Sequence, residues 1–374
     1  MWVPVLTSKD LGKTPERVFY WGSPVAVFRD AKGRVRALED KCSHRGIPLS
    51  RGTVKGDTLR CDFHHFRFDG LGRCVDIPRE FEASEEFKAR CAVRRYYTRE
   101  ALGLVWISVE NDPDAPFPVD QRHLERGDFY ACGQFKVKGD VRVWMDHFLD
   151  IPHCLWTHAE TAYWGKPEQA AELESMNIRI TPRSIFPVTG AVDMVFRAEK
   201  QRPVSYDWKM GLMSATSLAL RKARKPLGRT DPFHLEVVAD LATPVCQVSH
   251  ISLGALGVKV TGWTSINPTG NGELVYFWGA AVQAAKRGIG RRKFLRKTVA
   301  DFAEQHLGVE DGLLLAEAVH LEDDELKETR FEPTVMAMRG MFARYQSEKA
   351  HLYPENSLMR SLRYGAAPSG APEI

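Results

Sequence analysis

The feature that most constrains this chain is Cys42-Ser43-His44-Arg45-Gly46, followed after sixteen intervening residues by Cys61-Asp62-Phe63-His64. The spacing is C-x-H, then C-x-x-H. Each stretch offers one thiol and one imidazole and is short enough to lie in a single tight loop. Two such loops facing one another bring four inorganic-ligand donors to one point. The flanks agree: Arg45-Gly46 turns the first loop, and Phe66-Arg67-Phe68-Asp69-Gly70 reads as a strand running into a tight turn.

Two kinds of centre accept two Cys and two His. A structural zinc site does, but its motifs usually group like ligands, with C-x₂₋₄-C and then H-x₃₋₅-H. A Rieske [2Fe–2S] cluster holds one iron with two Cys and the other with two His, which suits loops that each mix the two. The pattern resembles the Rieske domain of the non-haem-iron aromatic-ring oxygenases, where the run is commonly CPHRG…CPYHGWxFD. The resemblance makes Cys42, His44, Cys61 and His64 the cluster ligands. Here His65-Phe66 stands at the family's Gly-Trp pair, and His65 is expected to pack or hydrogen-bond beside the cluster rather than ligate it. Ile47 and Phe63 occupy places where high-potential Rieske proteins carry a disulfide, so a potential near about −150 mV is expected.

The 374 residues are 44% hydrophobic and 27% charged, enough for two or three domains of ordinary globular character. A net charge of +4 gives no argument for nucleic acid. Cys74, Cys91, Cys132, Cys154 and Cys246 are scattered and odd in number, which fits a reducing compartment rather than a disulfide framework. With no signal-peptide pattern and no apolar run of membrane length, the expectation is a cytoplasmic protein without membrane attachment.

Short runs such as Val18–Trp21, Ala26–Phe28, Val35–Leu38 and Leu104–Val109, separated by turn residues, predict a small antiparallel β domain over 1–118. Asn111 to Pro118 is a Pro-rich linker. Strands rich in Thr and Val then precede helical patterns at Arg291–Leu307, Asp311–Glu322 and Thr334–Glu348, an α+β arrangement over 119–350. Residues 351–374 read as a C-terminal tail. By resemblance the fold is an all-β Rieske domain followed by an α+β helix-grip catalytic domain.

Inside a helical-looking segment sits Asp150-Ile-Pro-His153-Cys-Leu-Trp-Thr-His158. This D-x₂-H-x₄-H spacing resembles the family's catalytic iron motif. An unbroken helix would turn His158 away from His153, so a break or widening near Pro152 is needed to bring both imidazoles together. Two His and one carboxylate on one face of Fe(II) leave positions open for dioxygen and substrate. The family draws its third ligand from an acidic residue opening a C-terminal helix, which selects Asp311, with Glu310 and then Glu317 as rivals. Asp311 also reads as a helix N-terminal carboxylate stabilised by the macrodipole. Asp146 is expected to hydrogen-bond near the metal or to be solvated.

No G-x-G-x-x-G run follows a strand, and Gly270-Asn271-Gly272 reads as a turn, so NAD(P)H is expected to act only through a separate reductase, directly or by way of a ferredoxin. The basic run Lys286–Lys297 is either a docking surface for such a carrier or a solvated helix start. Resemblance implies a homotrimer in which His64 of one subunit reaches Asp150 of the next, with Asp150 holding His153. It implies a terminal oxygenase that monooxygenates an apolar or aromatic small molecule by hydroxylation or by O- or N-demethylation. Alternatives are a cis-dihydroxylating or amine-oxidising member (His64-His65 is similar to the arylamine branch), a non-enzymatic ligand-binding relative, and a zinc-stabilised module.

Overall fold

The computed structural model describes residues 1–110, 117–119, 129–148, 150, 153, 157, 173–181, 188–196, 233–243, 245–253, 258–284, 300–301, 303–327 and 332–363. His158 and the Lys286–Lys297 run lie outside them.

The chain divides into two compact units. The first comprises Met1–Phe117, Asn267–Val275 and Glu348–Leu362. Its larger sheet takes β1 (Val3–Thr7), β2 (Glu16–Tyr20), β3 (Ser23–Arg29), β4 (Val35–Glu39), β9 (Arg95–Ala101) and β10 (Leu104–Ser108), in the order β1-β10-β9-β4-β3-β2. These are the apolar runs bounded by turns in the sequence, and their side chains fill a core containing Trp21, Phe28 and Trp106. Four three-residue strands, β5 (Thr53–Lys55), β6 (Thr58–Arg60), β7 (Arg67–Asp69) and β8 (Cys74–Asp76), form a second antiparallel sheet.

Buried Asp30 ties the β3–β4 turn. Its carboxylate accepts from the backbone N–H groups of Lys32 and Arg34 and pairs with the guanidinium groups of Arg34 and Arg36. Burial works against ionisation there, but these donors outweigh it and hold the carboxyl below its ordinary range.

Residues 351–362, read from sequence as tail, are packed instead. Tyr353 is fully buried and stacks on Tyr20, centroids 5.6 Å apart and planes 6° apart. Leu358 N–H donates to the Trp21 carbonyl at 2.7 Å. The tip of the hairpin formed by strands Val258–Pro268 and Glu273–Ala284 also belongs to this unit: Asn267 donates to the Phe19 carbonyl at 2.6 Å, and Gly22 N–H to the Pro268 carbonyl at 2.9 Å.

The second unit comprises Pro118–Ile266, Tyr276–Ser347 and Arg363–Ile374. Its seven-stranded sheet runs β11-β17-β16-β15-β14-β13-β12, from β11 (Phe129–Lys138), β12 (Leu173–Thr181), β13 (Val188–Phe196), β14 (Phe233–Thr243), β15 (Cys246–Leu253), β16 (Val258–Pro268) and β17 (Glu273–Ala284). The helix α4 (Glu332–Lys349) buries Met338 and Phe342. The α+β expectation holds. The helix expected over Asp311–Glu322 is shorter: a π-helical turn, Glu304–Glu310, leads into α3 (Asp311–Leu315), and residues 318–322 are not helical.

Candidate metal centres

The two cysteine loops are built alike. Cys42 N–H donates to the Ile47 carbonyl and the Cys42 carbonyl accepts from Gly46 N–H, each at 2.8 Å. In the second loop, Cys61 N–H donates to the Phe66 carbonyl at 2.8 Å and the Cys61 carbonyl accepts from His65 N–H at 2.9 Å. Gly46 and His65 hold equivalent places, and both have positive φ, 71° and 58°. The chain must turn left-handed there to bring the two donors of each loop to one side, which explains the glycine in the first loop.

Cys42 and Cys61 are each 2% exposed, whereas His44 and His64 are half-buried with ring centroids 4.6 Å apart. The thiols therefore lie inward and the imidazoles outward. Burial pushes the Cys42 thiol up to about 11, and neighbouring Cys61 adds to the push against N–H groups of His44 and Arg45. Two buried thiols with amide donors aimed at the sulfur call for a positive centre to hold them as thiolates. Nδ1 of His44 is buried and has no hydrogen-bond partner among the described residues. These residues fit a [2Fe–2S] cluster held inward by two sulfurs and outward by two imidazole nitrogens.

Aromatic rings flank the imidazoles. Phe66 stacks flat on His44, and Phe81 stands edge-on to His44, His64 and Phe66 at 5.4, 5.8 and 5.3 Å. His65 is exposed and does not pack there, contrary to the expectation; its backbone is left-handed, with φ 58°.

A second group of donors forms in the other unit. Asp140 caps α2 (Val141–His147) by accepting from Arg142 N–H at 2.8 Å, and the helix ends on His147. His153 follows just beyond, its Nδ1 against the backbone carbonyl of Asp150 and 3.9 Å from the Asp150 carboxylate. The Asp150 side chain itself is 45% exposed. Asp311 arrives from far along the chain. Its placement depends on close approaches: a Cβ at Gly139 would lie 2.6 Å from the Leu315 carbonyl, and one at Gly308 3.3 Å from the Phe135 ring.

Asp311 is 2% exposed, with Oδ2 3.3 Å from His147 Nε2 and Oδ1 3.9 Å from His153 Nε2. The donor atoms of His147, His153 and Asp311 all lie within 4.8 Å of one another. A buried carboxylate of this kind needs a cation or charge-assisted donors. Burial pushes the His147 imidazole below its ordinary range, and His153 adds to the push against the pull of Asp311, so His147 favours the neutral form that ligates metals. Glu310 has helical dihedrals, so Asp311 does not sit at a free helix start. Glu317 is exposed, and Glu310 is not part of the group. Asp146 faces elsewhere: it forms a two-pronged ion pair with buried Arg339, and His320 Nδ1 lies 3.6 Å from it.

Comparison with known proteins bears on both units. Residues 1–91 match the Rieske [2Fe-2S] domain family. A 92-residue stretch is 42% identical to 4β-methylsterol monooxygenase of Methylococcus capsulatus, covering 25% of each chain. A 153-residue stretch is 32% identical to the oxygenase component of the 3-ketosteroid-9-alpha-monooxygenase of Rhodococcus rhodochrous, covering 38% of each. The chain thus matches well under half the length of these curated relatives. The fold match extends further: the crystal structure of dicamba monooxygenase bound to 3,6-dichlorosalicylic acid superposes with a TM-score of 0.70 over 93% of this chain and 98% of that one, at 19% identity.

The chain carries a Rieske [2Fe–2S] domain and shares its fold with dicamba monooxygenase. The domain match favours the [2Fe–2S] cluster over zinc for the first centre. In this Rieske protein the second group gathers His153 and Asp311 from the sequence-derived set, whereas His158 is outside the described residues. His147 was not singled out from sequence. Its only signal was its place six residues before His153. Among the described residues no helix is long and apolar enough to cross a membrane.

Proposed function

We propose that this chain is the terminal oxygenase component of a Rieske oxygenase system, monooxygenating an apolar or aromatic small molecule by hydroxylation or by O- or N-demethylation. The observation that carries the proposal is the convergence of buried Asp311 with His153, residues far apart in sequence, on one three-donor group. The names of the relatives support it, since both sequence relatives are monooxygenases or their oxygenase components.

His153, Asp311 and, by family resemblance, His158 would hold a ferrous ion, which would supply dioxygen activation with electrons from the cluster. Everything else falls to the chain. Cys42, Cys61, His44 and His64 would hold the cluster, while Phe66 and Phe81 pack against the imidazoles. Asp311 provides the negative charge, buried where water cannot screen it. Asp150 orients His153 and, in a homotrimer, accepts a hydrogen bond from His64 of the neighbouring subunit, linking the two centres. Exposed Leu313, Leu314 and Val319 on the second unit, and Phe63 and Leu71 on the first, are apolar surface suited to burial in such an assembly. Electrons come from an NAD(P)H-dependent reductase, directly or through a ferredoxin, and the chain works without membrane attachment in the cytoplasm.

The test is single turnover. Protein with both centres loaded is reduced through a surrogate reductase, mixed with oxygenated buffer and a panel of small aromatic and N- or O-methyl compounds, and examined for products that have gained one oxygen or lost a methyl group. Cluster reoxidation that accelerates with iron at the second site and yields such a product supports the assignment. Reoxidation at the same rate with and without that iron points instead to a ligand-binding electron carrier.

A further inference from the structure

We propose that His147 is itself a ligand of the second metal, alongside His153 and Asp311; the inference rests on the reading that this site holds Fe(II). The geometry is specific. His147 Nε2 lies 3.3 Å from Asp311 Oδ2, while His153 Nε2 lies 3.9 Å from the other oxygen of the same carboxylate. The two imidazole rings approach to 4.2 Å at an angle of 39°. Both nitrogens therefore address the same carboxylate from neighbouring directions, as donors around a shared ion do.

The chain also fixes His147 more firmly than its partners. It ends α2, a helix whose start is capped by Asp140 and whose Trp144 is fully buried and donates Nε1–H to the Lys138 carbonyl at 2.9 Å. The Trp144 ring stands edge-on to His147 at 5.9 Å. The His147 side chain is only 10% exposed, against 18% for His153. On the Asp311 side, the π-helical turn Glu304–Glu310 immediately precedes the carboxylate, and such turns re-aim side chains at functional sites. His147 is thus the rigid imidazole of the group. Among the described residues, no other set of three such donors lies within 4.8 Å of one another.

A further imidazole donor beside His153 and Asp311 would leave fewer positions open to dioxygen and substrate. A narrower opening restricts how a substrate can approach. The alternative role is positioning, with His147 Nε2–H donating to Asp311 and never touching metal. A Gln at 147 preserves a donor of that kind, and a Leu removes it.

Cobalt(II) separates these roles, because its X-ray absorption edge is distinct from that of the cluster iron. Wild-type chain with the cluster intact is freed of iron at the second site by brief chelation and loaded with Co(II). The same is done for His147→Gln and His147→Leu. Imidazole multiple scattering at the cobalt edge gives the ligand count, and competition with a chelating dye gives affinity. The expected result is one imidazole fewer in both variants and affinity at least about ten-fold weaker, with the cluster's visible spectrum unchanged. Cobalt bound with an unchanged imidazole count in His147→Leu, or affinity fully kept by His147→Gln, overturns the ligand role but leaves the metal site standing. Wild-type chain that takes up no cobalt overturns the site together with the inference.

Discussion

The ring of Phe66 lies flat on that of His44, with centroids 4.7 Å apart and planes within 4°. Phe66 is 1% exposed and also packs in the core cluster that includes Cys42, Cys61 and Phe68. It therefore does two things: it anchors the second cysteine loop and covers an imidazole of the first. Phe66→Ala is expected to destabilise the first unit by about 3–5 kcal/mol and to shed the cluster. Phe66→Leu keeps the fold but bleaches faster in air. Visible absorption followed over time in both variants checks this.

His65 occupies the left-handed position that Gly46 fills in the first loop. An exposed non-glycine residue bears strain there with no packing in return. His65→Gly is expected to raise stability by about 1 kcal/mol, read as a higher melting temperature with an unchanged cluster spectrum. A lower melting temperature contradicts the reading of His65 as a surface residue.

Asp30 provides a pH-dependent contribution. Burial opposes its ionisation, but donors from Arg34, Arg36 and Lys32 prevail, so its folded carboxyl is more acidic than the unfolded one. Its stabilisation is full above the ordinary carboxylate range and is lost as pH falls through the folded value. Asp30→Asn is expected to cost about 2–3 kcal/mol near neutrality. The gap to wild type narrows below about pH 4 in urea unfolding monitored on the first unit. A gap that stays constant with pH contradicts the account.

Tyr353 is a core residue of the first unit, stacked on Tyr20. Tyr353→Ala is expected to cost about 3–5 kcal/mol, measured by denaturant unfolding. A change under about 1 kcal/mol means that this segment behaves as a tail.

Much of this architecture was legible in the residues, and the gaps have physical causes. β1, β3, β4 and β10 announced themselves because their buried faces demand apolar runs. β5, β6 and β8 are three residues each, too short for alternation to register, whereas β7 was read from Phe66–Gly70. The cluster loops were readable because metal ligation needs particular side chains at fixed spacing. Residues 351–362 were misread because Pro354-Glu355-Asn356 has loop composition, while Tyr353 is held by partners distant in sequence. His147 was passed over for the same reason: its partner Asp311 is brought by close backbone approaches at Gly139 and Gly308 that no local pattern encodes.

The central claim is that one chain holds two separate iron centres, and that Asp311 belongs to only one of them. The direct measurement is iron content together with the low-temperature electron paramagnetic resonance of reduced Asp311→Ala beside wild type, both prepared anaerobically. The account predicts a fall from about three to about two irons per chain, with the rhombic signal of the reduced cluster unchanged. Iron content equal to wild type, or loss of the cluster signal along with the iron, contradicts it.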